Sequence, residues 1–93
     1  MIRSFRDRKV QELVSGRTPK GFPADLVRAT RQKLAYLHSA GGLQDLAVPP
    51  GNRLEALKGS RAGQHSIRIN DQYRVCFVWT PAGPQDVEIV DYH

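Results

Sequence analysis

The sequence predicts an α+β fold in which two N-terminal helices pack on a small, mainly antiparallel β-sheet. Before residue 40, apolar residues recur every three or four positions, as on one face of a helix. From Arg53 onward the apolar period changes to two, which is typical of strands. Because the helical segments precede all the clear strand segments, helices grouped on one side of an antiparallel sheet are favoured. The 93 residues are too few for two cores, so one domain is expected over residues 1–93.

The first helix is predicted from Val10, Leu13 and Val14, whose spacing is that of a buried helical stripe. We expect it to end at Ser15-Gly16, because glycine often follows the last helical residue. The preceding segment, Ile2 to Phe5, is a possible short strand.

The second helix is predicted from Pro23 to Ser39, with Gly41-Gly42 beyond its end. Proline suits the first helical position, and Asp25 complements the positive helix start. A stripe at helical spacing follows: Leu26, Thr30, Leu34 and Leu37. Three basic residues lie off this stripe and are expected to face solvent or a partner: Arg28, Arg31 and Lys33.

A loop is predicted to connect the helical half of the chain to the strand half. Leu43, Leu46 and Val48 are expected to pack back onto the core. Pro49-Pro50-Gly51 then interrupts the pattern, because adjacent prolines disfavour both helix and sheet hydrogen bonding.

Four strand segments follow: Arg53 to Leu57, Ser66 to Ile69, Tyr73 to Thr80 and Val87 to Tyr92. Gly59 to Gly63 is a turn or loop between the first two. Asn70-Asp71 favours a tight hairpin, because both residues tolerate left-handed backbone angles. Pro81 to Pro84 forces a further reversal before the last strand.

Strand alternation divides the third predicted strand into two faces. Tyr73, Val75, Phe77 and Trp79 share one face, and Arg74, Cys76 and Val78 share the other. If the hairpin turns at Asn70-Asp71, Arg68 and Arg74 line one groove, whereas a one-residue slip separates them. Two arginines can hold a scissile phosphate through forked hydrogen bonds, or they can simply bridge acids such as Asp71 or Glu88.

The formal net charge of +5 comes from the first third of the chain. Residues 1–33 hold nine Lys and Arg against three acids, whereas residues 34–93 hold five against six. This field attracts phosphate backbones, although a solvated helix face is the other interpretation. The sequence has neither a membrane-spanning apolar run nor a signal-peptide core, so a cytoplasmic protein without a membrane partner is expected. The single Cys76 is expected to be a small buried side chain.

Metal-free RNA cleavage is the chemistry that the polar residues favour. It needs a base for the 2′-hydroxyl, an acid for the leaving 5′-oxygen and a cation for the phosphorane. The candidate bases and acids are Glu55, Asp91 and His93, and the candidate cations are Lys58, Arg68 and Arg74. Tyr92 could donate a proton or stack on a base, whereas His93 could also be a frayed terminal residue. His38, His65 and His93 show no metal spacing and no cofactor motif is present, so neither metal nor cofactor is expected.

Three ordered segments carry a family resemblance: Pro49 to Gly59, Gly63 to Phe77 and Val87 to His93. With the opening Met1 to Phe5, they resemble the HigB toxins of the RelE/ParE superfamily, and most of all the GraT-type members. The similarity spans nearly the whole chain, and the combination is more specific than any one segment. It implies a RelE-like fold.

The resemblance also implies a bacterial type II toxin, a ribosome-dependent endoribonuclease that cuts mRNA without a metal. Its partner would be a HigA-type antitoxin with a helix-turn-helix domain, through which the toxin reaches operator DNA indirectly. The catalytic set carried over is Asp91, Tyr92 and His93, with Glu55, Arg68 and Arg74. The expected RNA-binding residues are Lys58, Arg61, Arg28 and Arg31.

One departure from the family concerns Glu55, where many HigB sequences have histidine. A carboxylate can act as a base but is a poor acid near neutral pH, so weak toxicity is a hypothesis here. Two other functions remain open. ParE-like relatives bind DNA gyrase without enzymatic activity, and a basic toxin can act mainly as a co-regulator of antitoxin binding to operator DNA.

Overall fold

A computed structural model describes residues 1–91, which form two α-helices and a four-stranded sheet. The helices are α1 (Arg8–Val14) and α2 (Val27–Ser39), and the strands are β1 (Glu55–Ala56), β2 (His65–Arg68), β3 (Tyr73–Thr80) and β4 (Gly83–Asp91). Short 3-10 turns occupy Ala24–Leu26, Leu43–Leu46, Pro50–Asn52 and Gly59–Arg61. The predicted α+β class is confirmed. Neither helix in residues 1–91 has the length and apolar character needed to cross a membrane.

The first helix is capped by Asp7, whose carboxylate accepts a hydrogen bond from the backbone N–H of Lys9 at 2.9 Å. This bond satisfies one of the amides that a helix start leaves unpaired. Val10 and Leu13 are buried as predicted. The burial predicted for Val14 is wrong, because this residue is 44% exposed at the helix end.

The second helix begins later than predicted. Pro23 precedes a 3-10 turn, and α-helical hydrogen bonding starts only at Val27. The predicted buried stripe is confirmed for Thr30, Leu34 and Leu37, which direct α2 onto the core.

The sheet runs in the order β1-β2-β3-β4, and every neighbouring pair is antiparallel. The β2–β3 register pairs Arg68 with Arg74, so the hairpin turns at the predicted residues. Asn70 closes this turn, because its side-chain oxygen accepts from the backbone N–H groups of Gln72 at 2.9 Å and Tyr73 at 2.7 Å. Asparagine thus acts here through its side chain, as in an Asx-turn.

The N-terminal segment lies alongside β4 but forms only one parallel bridge, between Phe5 and Val87. The strand expected over Ile2 to Phe5 is therefore reduced to that bridge. β4 begins at Gly83, four residues before the predicted start, and its register to β3 shifts between Cys76 and Val78. This irregularity disrupts the regular ladder locally.

The core lies between the two helices and one face of the sheet. The predicted division of β3 is confirmed, because Val75 and Phe77 are fully buried and Tyr73 and Trp79 pack against the core cluster. The other buried side chains of this cluster are Ile2, Val10, Leu13, Leu34, Leu37, Leu46, Ile67, Ile69 and Val87. Cys76 is buried on the opposite face of β3, as its small apolar character suggested.

The segment before the sheet departs from its prediction in two ways. Leu46 is buried, but the burial expected for Val48 is wrong, since this residue is 76% exposed. Pro50–Asn52 forms a 3-10 turn, although the prolines were expected to exclude helical hydrogen bonding. The turn tolerates Pro50 at its first position because the donor it needs is the Asn52 N–H, which bonds to the Pro49 carbonyl at 3.0 Å.

Truncating each of the two apolar side chains in this segment gives a matched test of the core. Leu46→Ala should lower the free energy of unfolding by about 2–5 kcal/mol, because it opens a cavity in a fully packed site. Val48→Ala should change it by less than about 0.5 kcal/mol, because the valine is solvated. Urea unfolding followed by circular dichroism measures both, and equal losses would contradict the assigned packing.

Candidate functional site

The sheet face away from the helices carries a row of polar side chains. Residues directly opposite in an antiparallel pair share a face, as do residues two apart on one strand. The registers Glu55–Ser66, Arg68–Arg74 and Cys76–Glu88 therefore place six residues on what we call the open face: Glu55, Ser66, Arg68, Arg74, Cys76 and Glu88. The predicted grouping of Arg68 with Arg74 is present in the structure.

Arg74 is fixed at two of its nitrogens. Its Nε donates to the hydroxyl of Ser66 at 2.8 Å, and its Nη2 donates to the backbone carbonyl of Arg53 at 2.6 Å. Ser66 is fully buried, so this anchor has little freedom. Residues 1–91 supply no carboxylate in ion-pair contact with Arg74. Its positive charge is therefore oriented by neutral groups within this part of the chain.

Arg68 is held differently, by an ion pair with Asp71 in the hairpin turn. The hydrogen bond from Arg68, and then its positive charge, lower the pKa of the Asp71 carboxyl. The Asp71 side chain is fully exposed, so water screens this attraction. Of the two arginines, Arg68 thus matches the interpretation in which arginine bridges a neighbouring acid.

Glu88, the other acid considered for such a bridge, pairs with different arginines. Its carboxylate lies 3.3 Å from Nη1 of Arg61 and 3.4 Å from Nη1 of Arg6. Arg61 also donates to the side-chain oxygen of Gln64 at 3.0 Å. These contacts hold Arg61 beside the open face, and the carboxylate of Glu88 neutralises part of its positive charge.

A groove of about 500 Å³ lies along β1 and the turn after it. It is lined by Glu55, Ala56, Leu57, Lys58 and Arg61. Glu55 and Lys58 are exposed, so a proton acceptor and a cation both face solvent in this groove.

The other predicted RNA-binding arginines lie on α2, which packs on the opposite side of the sheet. Arg28 is exposed there, as expected. Arg31 was expected to face solvent or a partner, but it is half-buried and bonded within the protein itself. Its Nε donates to the Leu13 carbonyl at 3.3 Å and its Nη2 to the Arg17 carbonyl at 3.1 Å, so it binds the end of α1 and the turn after it.

The end of β4 lies beside the strand that carries Arg74, because Val90 pairs with Arg74. Asp91 pairs with Tyr73, so its side chain lies on the helix-facing side of the sheet and not on the open face. There it accepts a hydrogen bond from Gln72 at 3.2 Å and lines a pocket with Lys9 and Lys20. Tyr92 and His93, the other members of the predicted catalytic tripeptide, lie outside the described residues.

The histidines at 38 and 65 lie away from the open face. His65 pairs with Phe77 across the β2–β3 ladder, and the two rings stack with centroids 6.3 Å apart. His38 is exposed on α2. Within residues 1–91, no three His, Cys, Asp or Glu side chains group closely enough to hold a metal ion.

Sequence reasoning missed a contact between α2 and the Pro50–Asn52 turn. Lys33 was expected to face solvent or a partner, but its Nζ donates to the side-chain oxygen of buried Asn52 at 2.6 Å. Burial, and then the nearby charge of Arg68, lower the pKa of Lys33. Ser66 could have been found from the hairpin register, whereas nothing in the sequence signals the contact between Lys33 and Asn52.

The family described as RelE-like toxin of type II toxin-antitoxin system HigB matches residues 3–93. Toxin HigB-1 of Vibrio cholerae serotype O1 is 36% identical over 80 residues, which are 85% of this chain and 84% of that protein. A protein of Haemophilus influenzae named only as uncharacterized is 34% identical over 62 residues, 67% of this chain and 61% of its own. The family match therefore covers both helices, the sheet and the open face.

The ion pair in the hairpin turn predicts an abnormal titration of Asp71. In the folded protein its carboxyl should titrate below the ordinary aspartate range, because Arg68 stabilises the ionised form. The small stability it contributes is present above the unfolded-state pKa and is lost as the pH falls through the folded-state pKa. Carboxyl ¹³C NMR measures the midpoint.

Arg68→Ala should return the Asp71 midpoint to the ordinary range. Arg74→Ala is the matched control, because Arg74 contacts Ser66 and the Arg53 carbonyl instead of Asp71. A midpoint insensitive to Arg68→Ala would contradict the ion pair.

Proposed function

The chain belongs to the HigB-like family of RelE-like toxins from type II toxin-antitoxin systems, and from that premise we propose that it is a ribosome-dependent mRNA endoribonuclease. A toxin of such a system has an antitoxin as its partner. The proposed reaction is transesterification. A base removes the proton of the 2′-hydroxyl, the O2′–P bond forms, the P–O5′ bond breaks, and an acid protonates the departing 5′-oxygen. The products are a 2′,3′-cyclic phosphate and a 5′-hydroxyl.

The observation that carries this proposal is the fixed guanidinium of Arg74 on the open face. Negative charge grows on the phosphoryl oxygens as the phosphorane forms, and a cation oriented beforehand stabilises that charge without reorganising. The contacts of Arg74 with Ser66 and the Arg53 carbonyl provide this orientation. Arg68, directly opposite on β2, supplies a second guanidinium whose partner is a solvent-exposed aspartate that a phosphate can replace.

The remaining roles are assigned by position. Glu55 is exposed on the open face and is proposed as the base. Lys58 and Arg61 flank it along the groove and are proposed to bind the RNA backbone. Arg28 is proposed to contact ribosomal RNA from α2. Arg31 keeps at most a minor RNA-binding role in this proposal, because it is bonded to two backbone carbonyls.

The tripeptide of Asp91, Tyr92 and His93 is proposed to complete the chemistry, with His93 as acid and Tyr92 as proton donor or stacking partner. Asp91 lies on the helix-facing side, so its proposed role is to act through its neighbours and not on the phosphate directly. The proposed location is the cytoplasm, where ribosomes and mRNA are the substrates. Operator DNA is proposed to be reached through a helix-turn-helix antitoxin of HigA type.

Removing the guanidinium of Arg74 should abolish most of the cleavage. We expect Arg74→Ala to lower the rate on translated messages by on the order of 100-fold, the usual loss when one preoriented charge-stabilising group is deleted. Primer extension on ribosome-bound mRNA measures the cleavage. Arg8→Ala, which removes an exposed arginine from α1 on the helical side, is the control for loss of net charge.

Two results would contradict the proposed function. One is full cleavage by the Arg74→Ala variant with antitoxin binding intact. The other is inhibition of DNA gyrase supercoiling by wild type together with no ribosome-dependent cleavage, which would assign the chain to the ParE-like mode of action.

Glu55 should limit the rate in this chain. An imidazole both gives and takes a proton near neutral pH, so Glu55→His should raise the cleavage rate by roughly tenfold. Glu55→Gln, which keeps the size and loses the base, should lower it. Single-turnover cleavage on programmed ribosomes measures both variants, and an unchanged rate in Glu55→His would remove the basis for weak toxicity.

A further inference from the structure

We propose that Lys33 and Asn52 are positioning residues for Arg74, acting through the backbone carbonyl of Arg53. The proposal deepens the nuclease function proposed above and rests on it for its kinetic consequences. Neither residue is on the open face, and neither contacts the guanidinium itself. Their effect is to fix the chain segment that presents one of the two acceptors of Arg74.

Asn52 is the centre of the arrangement. It is fully buried, and its side-chain nitrogen donates to the Leu46 carbonyl at 3.1 Å while its side-chain oxygen accepts from Lys33 at 2.6 Å. A buried amide left without partners is strongly unfavourable, so these two bonds tie Asn52 to one conformation. Three segments are joined at this point: α2, the Leu43–Leu46 turn and the Pro50–Asn52 turn.

The ammonium of Lys33 has a second contact besides Asn52. Lys33 projects from α2, and its ammonium lies 5.6 Å from the centre of the Tyr36 ring one turn along the helix. Lys33 is partly buried, so its ammonium has lost part of its hydration, and this burial lowers its pKa. An ammonium in this setting depends on the Asn52 oxygen as an acceptor, so the contact is stronger than one on an open surface.

Arg53 follows Asn52 immediately and has φ 45° and ψ 56°, in the left-handed region. This conformation is unfavourable for a residue with a side chain and persists only where neighbouring contacts enforce it. The enforcing contacts are the anchored Asn52 side chain and the hydrogen bond from the Arg53 N–H to the Pro50 carbonyl at 3.3 Å. The Arg53 carbonyl, within this bent segment, accepts from Nη2 of Arg74 at 2.6 Å.

The guanidinium plane of Arg74 needs both of its anchors. Ser66 holds Nε at 2.8 Å and belongs to the sheet, whereas the Arg53 carbonyl belongs to the loop that Asn52 fixes. With only the Nε bond remaining, the plane can turn about that bond, and the other donors no longer point in a single direction. Loss of Lys33 or Asn52 should therefore leave Arg74 present but misdirected.

The kinetic test compares Asn52→Ala and Lys33→Met with wild type in ribosome-dependent cleavage. We expect both variants to lower kcat by roughly tenfold or more with little change in KM, because a misplaced charge-stabilising group affects the transition state more than ground-state binding. Lys33→Arg, which keeps a donor, should recover part of the rate. Gln44→Ala, an exposed residue in the neighbouring turn, is the control and should cleave as wild type does.

A double-mutant cycle separates positioning from general destabilisation. In an Arg74→Ala background, Asn52→Ala and Lys33→Met should produce no further loss of kcat, because the group they position is already absent. A further tenfold loss in that background would overturn the proposal. Full wild-type activity of both single variants would also overturn it.

A spectroscopic readout makes the inference independent of the enzymatic activity. In ¹⁵N NMR of the wild-type protein without ribosomes, the Nε–H resonance of Arg74 should be sharp and protected from exchange. Lys33→Met and Asn52→Ala should broaden it or speed its exchange, and Gln44→Ala should not. An unchanged Arg74 resonance in both variants would refute the positioning role. If the wild-type protein does not cleave mRNA on ribosomes, only the proposed nuclease function is refuted.

Thermal unfolding identifies a variant that fails to fold. If Asn52→Ala is unfolded, Lys33→Met carries the same test, because Lys33 lies at the partly exposed edge of the network. Asn52→Asp then provides the second variant, since it keeps an acceptor for Lys33 and loses the donor to the Leu46 carbonyl.

Discussion

The register of the β2–β3 hairpin is the constraint on which both the core and the open face depend. It is closed by the Asn70 side chain, which accepts from two backbone N–H groups of the turn. This closure places Ile67 opposite Val75 in the core and Arg68 opposite Arg74 on the other side. A slip of one residue would exchange the two faces, exposing the apolar side chains and burying the arginines. Stability and charge placement are thus set by the same hydrogen bonds.

Much of the fold was predictable because strand alternation and turn chemistry are local. The bounds of β3 and the assignment of its two faces agree with the sequence prediction, and so does the turn at Asn70-Asp71. The errors at Val14 and Val48 have a common cause. Both predictions assumed that an apolar side chain next to the core is covered, although much of a folded protein's surface is apolar. Whether such a side chain is covered depends on distant segments that the local pattern does not contain.

The site was less predictable, because its support crosses between segments far apart in sequence. The contact between Lys33 and Asn52 joins a helix to a loop, and the left-handed conformation of Arg53 opposes the residue's own preference. The face of Asp91 follows from its pairing with Tyr73, which could be derived only once the β3–β4 register was known. Residue types therefore indicated which chemical groups are available, whereas register and tertiary contacts determine which of them meet.

The two central arginines of the open face, Arg68 and Arg74, differ in the groups that hold them. Arg68 is paired with an exposed aspartate, so an incoming phosphate must compete with that partner in water. Arg74 is held by a hydroxyl and a carbonyl, which orient its guanidinium without cancelling its charge. Because neutral acceptors leave the positive field intact, Arg74 attracts an anion more strongly than an ion-paired arginine at the same position. The cost of ordering its long side chain is met in the unliganded protein, so binding energy from the proposed RNA substrate would remain available for the transition state.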